Sequence, residues 1–160
     1  MKSIQQWFDE YAESHQNHTN KIFHFICLPL IYFSIVGLLV TIPTGFLHLF
    51  FQDEPPFYYN FGTVVLILTL IFYLRLSFQI FCGMLIFSVI VMTGNYFLST
   101  IDEVPLWLIC IIIFAVAWAG QFYGHNLEGK RPAFFKDVQF LLIGPAWILS
   151  FIYKKIGIKY

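Results

Sequence analysis

Two polar clusters carry most of the groups in this chain that could do chemistry. The first, QFYGHNLEGKRP from Gln121 to Pro132, holds a histidine, a carboxylate and two cations within a few residues. The second, SHQNHTNKIFH from Ser14 to His24, sets His15, His18 and His24 directly before an apolar run. His125 and Glu128 are three residues apart, so a helical turn places both on one side. Imidazoles and a carboxylate with open coordination positions are what a non-haem Fe(II) centre uses to activate oxygen. Zinc accepts the same donors and activates water instead. Donor softness leaves iron, zinc and manganese open. The candidate metal ligands are therefore His15, His24, His125 and Glu128, with His18 the weakest because it falls in an expected turn. His125 and Glu128 are also the candidate catalytic pair. Lys130 and Arg131 suit a clamp for a substrate carboxylate, and Gln121 and Asn20 are further candidate substrate contacts.

Bland readings compete with each of these. The histidines can serve interfacial hydrogen bonds, Asn20 can cap a helix, and Glu128 can form a surface ion pair with Lys130 or Arg131, which contributes little. His48 stands at the far end of the first apolar run and reads as structural. Cys27, Cys82 and Cys110 are far apart inside apolar runs, without zinc or redox spacing, and read as small buried side chains. The chain holds no H-E-x-x-H, no G-x-S-x-G and no phosphate-binding glycine loop.

The elements that must position these groups are those of a membrane protein. The 160 residues are 59% hydrophobic, 21% aromatic and 11% charged, with a mean hydropathy of +0.74. Soluble domains carry about 25% charged residues, so a soluble fold would lack polar surface to cover itself. A net charge of +0 argues against a nucleic-acid partner. The polar, acidic N-terminus has no short apolar core of the kind a cleavable signal needs.

The expected fold is a single all-α membrane domain over 1–160. Residues 1–20 form an amphipathic helix and a turn: Ile4, Trp7, Phe8 and Tyr11 make one apolar stripe, and Ser3 with Gln6 has capping-box spacing. Spans are expected over 22–42, 57–74, 76–98 and 105–123, with a tight turn at Arg75 and Pro105 at a first helical position. Residues 138–155 are apolar but short and contain Gly144-Pro145, which predicts a broken re-entrant or interfacial hairpin. On one unbroken helix His15 and His24 would lie about 180° apart, so they can meet only if the chain folds back between them. With four spans, every Lys and Arg falls on the face carrying the termini and both polar clusters, while the opposite loops carry Asp53, Glu54, Asp102 and Glu103. The positive-inside rule puts that face in the cytoplasm; in a bacterium the membrane expected is the inner membrane.

The pattern Y-x-x-x-H-x-x-x-x-N-x-x-x-H-x-x-x-x-P occurs as Tyr11, His15, Asn20, His24 and Pro29. A second occurs as Trp118, Gln121, Gly124, His125, Glu128, Arg131, Pro132 and Ala133, followed by Gly144-Pro145. In both, and over nearly its whole length, the chain resembles the 2-hydroxy fatty acid dioxygenase family. The resemblance implies an Fe(II)-dependent enzyme of fatty acid α-oxidation, shortening a long-chain 2-hydroxy fatty acid such as 2-hydroxypalmitate by one carbon with O2. For a eukaryote it implies the endoplasmic reticulum as the membrane. It also implies His15, His24 and His125 as iron ligands, and Glu128 as a ligand or nearby base. Beside it stand two other classes, a non-catalytic lipid-binding or assembly protein of the bilayer and a zinc-dependent membrane hydrolase.

Overall fold

The computed structural model describes residues 2–13, 15–45, 56–129 and 134–160, with Glu128 and residues 134–139 described by backbone alone. The described residues form six helices: α1 (Ile4–Ala12), α2 (His18–Val40), α3 (Phe61–Leu76), α4 (Phe78–Ser99), α5 (Leu106–Glu128) and α6 (Phe134–Ile156). Three of them, α2, α4 and α5, are long and apolar enough to cross a membrane, and α3 is apolar but shorter. At about 1.5 Å per residue, α3's 16 residues extend about 24 Å, short of a hydrocarbon core about 30 Å thick.

Each start has a local cause. The Ser3 hydroxyl accepts from the Gln6 amide while the Gln6 side chain accepts from the Ser3 amide, so the capping box is complete. The Asn17 side chain accepts from the amides of Thr19 and Asn20 and starts α2. The cap is thus Asn17 and not Asn20, which lies inside the first turn. Between α3 and α4 the break is Ser77, not Arg75: one extended residue whose hydroxyl accepts from the Ile80 amide. Pro105 stands one position outside α5, as its N-cap.

The hub is α2, the most buried of the three long helices. It packs on α5, α3, α4 and α6, and its N-terminal end meets the C-terminal end of α5, so the two run antiparallel. The outer faces of α3, α4 and α5 expose apolar side chains such as Leu68, Ile86 and Val116, as suits a face turned to lipid. A glycine and two polar residues seat α4 and α5 against α2. Asn95, fully buried, donates to the carbonyls of Val91 at 2.9 Å and Phe33 at 3.3 Å, and Cys110 Sγ lies 3.6 Å from its Oδ1. A side chain on Gly37 would meet Asn95 Oδ1 at 2.2 Å.

The expected break at Gly144-Pro145 does not occur. α6 runs through it as one helix of 23 residues with Pro145 inside. Proline removes one donor, for the Leu141 carbonyl, and the packed helix tolerates that loss. Beside it the Tyr73 hydroxyl donates to the Leu142 carbonyl, and Ile143, Ala146 and Trp147 are clamped in the main core cluster. Both ends of α6 lie at the same end of the bundle. Phe140 packs on Tyr11 and Phe151 on Phe25, Tyr153 donates to the Gln79 carbonyl at the start of α4, and Tyr160 packs on Phe8. The helix therefore lies across one end of α2, α3 and α4 and, with α1, forms a floor there.

Candidate metal centre

Beneath that floor the two polar clusters meet. α1 ends at Ala12 and α2 starts at His18, with His15 described between them. The fold-back swings His15 onto His24, whose Nε2 atoms lie 2.7 Å apart. α5 continues past its apolar run to Glu128, so His125 stands in its last turn, and Gly129, at φ 69°, ends the helix in the left-handed region that glycine favours. The three rings converge, with centroids 4.1 Å apart for His15 and His24, 4.9 Å for His24 and His125 and 5.5 Å for His15 and His125. Each offers one ligand nitrogen, and these atoms all lie within 4.8 Å of one another. All three side chains are buried.

Close helix approach makes this possible. A side chain on Gly124 would meet Asn20 Oδ1 at 2.6 Å, and one on Gly120 would meet Cys27 Sγ at 2.7 Å. With Ala117 these glycines form a stripe of small residues along α5 facing α2, the device by which membrane helices approach without a hydrophobic driving force. It brings His125 to His24. On the other side a side chain on Gly144 would meet Leu28 Cδ1 at 2.7 Å, so α6 closes on α2 in the same way.

The hydrogen bonds orient the rings. His15 Nδ1 lies 2.6 Å from the Tyr11 carbonyl and His24 Nδ1 lies 3.0 Å from the Asn20 carbonyl. A carbonyl only accepts, so each Nδ1 carries the proton and, in a neutral imidazole, each Nε2 presents a lone pair. Two lone pairs facing at 2.7 Å repel unless a cation shares the space. Backbone carbonyls fixing the far nitrogen of a ligating histidine are the usual outer support of a metal site. The donor set fits a transition-metal ion. Tyr11 stacks on His15 at 4.2 Å and 11°, and Trp147 of α6 approaches both rings, which locks their rotation.

The other candidates fare differently. Asn20 is buried, lends its carbonyl to His24 and packs its amide on Gly124. Gln121 is buried one turn before His125 and lines, with His24 and His125, a cavity of about 30 Å3. His18 is exposed at the first position of α2, outside the cluster. The Glu128 side chain, Lys130 and Arg131 lie outside the described residues. Tyr11 and Trp147 are the contributors that residue chemistry did not single out. Tyr11 stands four residues before His15 in the Y-x-x-x-H pattern, and its carbonyl meets the His15 ring just past the end of α1. Trp147 is distant in sequence and stands in no such pattern.

No curated protein and no solved structure matches the chain. Its relationship is shown at the level of the family: the model described as 2-hydroxy-palmitic acid dioxygenase Mpo1-like matches residues 1–156, in which both histidine clusters fall, and the chain belongs to that family.

Proposed function

We propose that this chain is a multi-pass membrane dioxygenase that uses Fe(II) to shorten a long-chain 2-hydroxy fatty acid by one carbon, with His15, His24 and His125 as the protein ligands. The observation that carries the reading is the convergence of three buried imidazoles whose ligand atoms lie within 4.8 Å of one another, in a chain of this family. Ferrous iron in such a site supplies one-electron chemistry with oxygen that no side chain offers, and three protein ligands leave positions open for small molecules. The chain's own residues do the rest. The Tyr11 and Asn20 carbonyls hold the Nδ1 protons of His15 and His24, so both rings present Nε2. Tyr11, Trp147 and the apolar wall of Leu28 and Ile31 exclude bulk water. Glu128, three residues beyond His125, is proposed as a fourth ligand or a nearby base, and Lys130 and Arg131 as the carboxylate clamp.

We further propose that α2 to α5 are four crossings, with the termini and the metal site on the cytoplasmic side, where all the Lys and Arg would then gather. α1 and α6 lie along that surface. A substrate already dissolved in the bilayer then reaches the site without leaving the membrane. Burial of about 0.8 kcal/mol per methylene favours long chains.

The test is elemental analysis of protein purified in mild detergent, followed by an assay for oxygen-dependent loss of a 2-hydroxyacyl substrate after ferrous iron is added. Stoichiometric iron and oxygen-dependent turnover are expected. Activity that persists without oxygen and follows zinc would replace this reading with a hydrolase, and background metal in the wild-type protein would remove the enzyme altogether.

A further inference from the structure

Gln121 is a buried polar group that the fold leaves unanswered. Its side chain is 3% exposed, and neither its amide oxygen nor its amide nitrogen has a hydrogen-bond partner among the described residues. A primary amide brings two donors and an acceptor, and burying them unpaired is costly enough that few native groups are left so. The rest of the α5 stripe makes the position specific. Trp118, Gln121 and His125 recur at helical spacing on one face, and all three line the same small cavity together with His24. Across it the wall is largely apolar, from Leu28, Ile31 and Leu141. Among the described residues nothing answers the amide, and the cavity it borders leaves room for a molecule that would.

Size decides what that is. About 30 Å3 holds one or two water-sized molecules, and it is too small for an acyl chain or a whole hydroxy-acid head. We propose that the Gln121 amide is the hydrogen-bond partner of a small exogenous ligand on the metal held by His15, His24 and His125. A ligand of that size would be water or another molecule of two or three atoms. The Gln121 Nε2–H would donate to it, and Oε1 would accept from it where it carries a proton, as water does. Gln121 is thereby a positioning residue, acting through the ligand it orients and not on the metal. This inference rests on the metal-site reading above.

The experiment uses full-length protein in mild detergent loaded with Co(II), an optical stand-in for the ferrous ion, and azide as the small-ligand probe. Wild type, Gln121→Leu and Gln121→Glu are compared for metal per chain by elemental analysis and for azide affinity by visible absorption. The three proteins are expected to hold equal metal. Gln121→Leu is expected to weaken azide about tenfold through the lost donor, and Gln121→Glu at least as much, since a carboxylate opposes the anion. Equal azide affinity in wild type and Gln121→Leu at equal metal content overturns the role of Gln121 and leaves the metal site standing. Loss of metal from both variants also overturns it, since the amide would then serve the triad and not its ligand. A wild-type protein that takes up no metal overturns both.

Discussion

Asn95 and Gln121 are both amides buried in the bundle against α2, and they are treated in opposite ways. Asn95 closes on itself: two carbonyls accept from its nitrogen, Cys110 approaches its oxygen, and Gly37 makes room for it. Gln121, at the other end of the α2–α5 seam, finds no protein partner among the described residues and borders a cavity. His24 and His125 line the same cavity, and the His15 and His24 rings have their far nitrogens fixed by carbonyls and their near nitrogens turned on each other. Polar groups that hold helices together satisfy one another. Polar groups at the floor end are held in place but directed at a shared space, and that contrast separates a site from a structural contact.

Substitutions at the two ends should therefore move different readouts. The largest effect is expected at the triad. His24→Ala and His125→Ala should each reduce metal per folded chain to background by elemental analysis, whereas Asn95→Ala should leave it unchanged. Next is the close approach itself. Gly124→Ala sets a methyl 2.6 Å from Asn20 Oδ1, which pushes α2 from α5 and should lower metal affinity several-fold. Gly45→Ala, with nothing within 4 Å of the added carbon, should not. A metal content indifferent to Gly124→Ala would mean that the spacing of α2 and α5 does not set the site.

At the structural end, Asn95→Ala removes the side-chain hydrogen bonds to the Val91 and Phe33 carbonyls and the acceptor that Cys110 approaches. It should cost about 1–3 kcal/mol of stability, read as a lower thermal midpoint in detergent with unaltered metal stoichiometry. The smallest effect is at the periphery. Ser3→Ala removes one half of the capping box and should cost about 1 kcal/mol, visible as earlier loss of α1 protection in hydrogen exchange. His18→Ala, at an exposed position, should change neither metal content nor midpoint.

Local chemistry was legible in the sequence to the extent that its causes are local. The apolar runs, the Ser3–Gln6 capping box and the need for a fold-back between His15 and His24 follow from spacing alone, because helical periodicity and caps act over a few residues. One bland reading and two expectations miss for one cause. Asn20 looked like a cap because Asn, Asp and Ser all suit that position and only the path of the chain selects among them. Arg75 looked like the turn because its charge interrupts an apolar run, whereas Ser77 supplies the extended residue and the hydroxyl that starts α4. Gly144-Pro145 looked like a break because a lone proline weakens an isolated helix. In the folded chain the core around Trp147 and the Tyr73 hydroxyl at the Leu142 carbonyl hold α6 continuous.

By itself, then, the sequence determined which residues could ligate a metal, that the chain is helical and rich in membrane-length apolar runs, and which family pattern it carries. Only the tertiary structure decided that His15, His24 and His125 share one space, that α6 crosses the end of the bundle as an unbroken floor, and that Gln121 is buried without a partner among the described residues. The reason is physical. Composition and periodicity are sums over neighbours in the chain. A triad drawn from three helices depends instead on how closely α2 and α5 pack, and that is set where Gly124 meets Asn20 and Gly120 meets Cys27, positions almost a hundred residues or more apart.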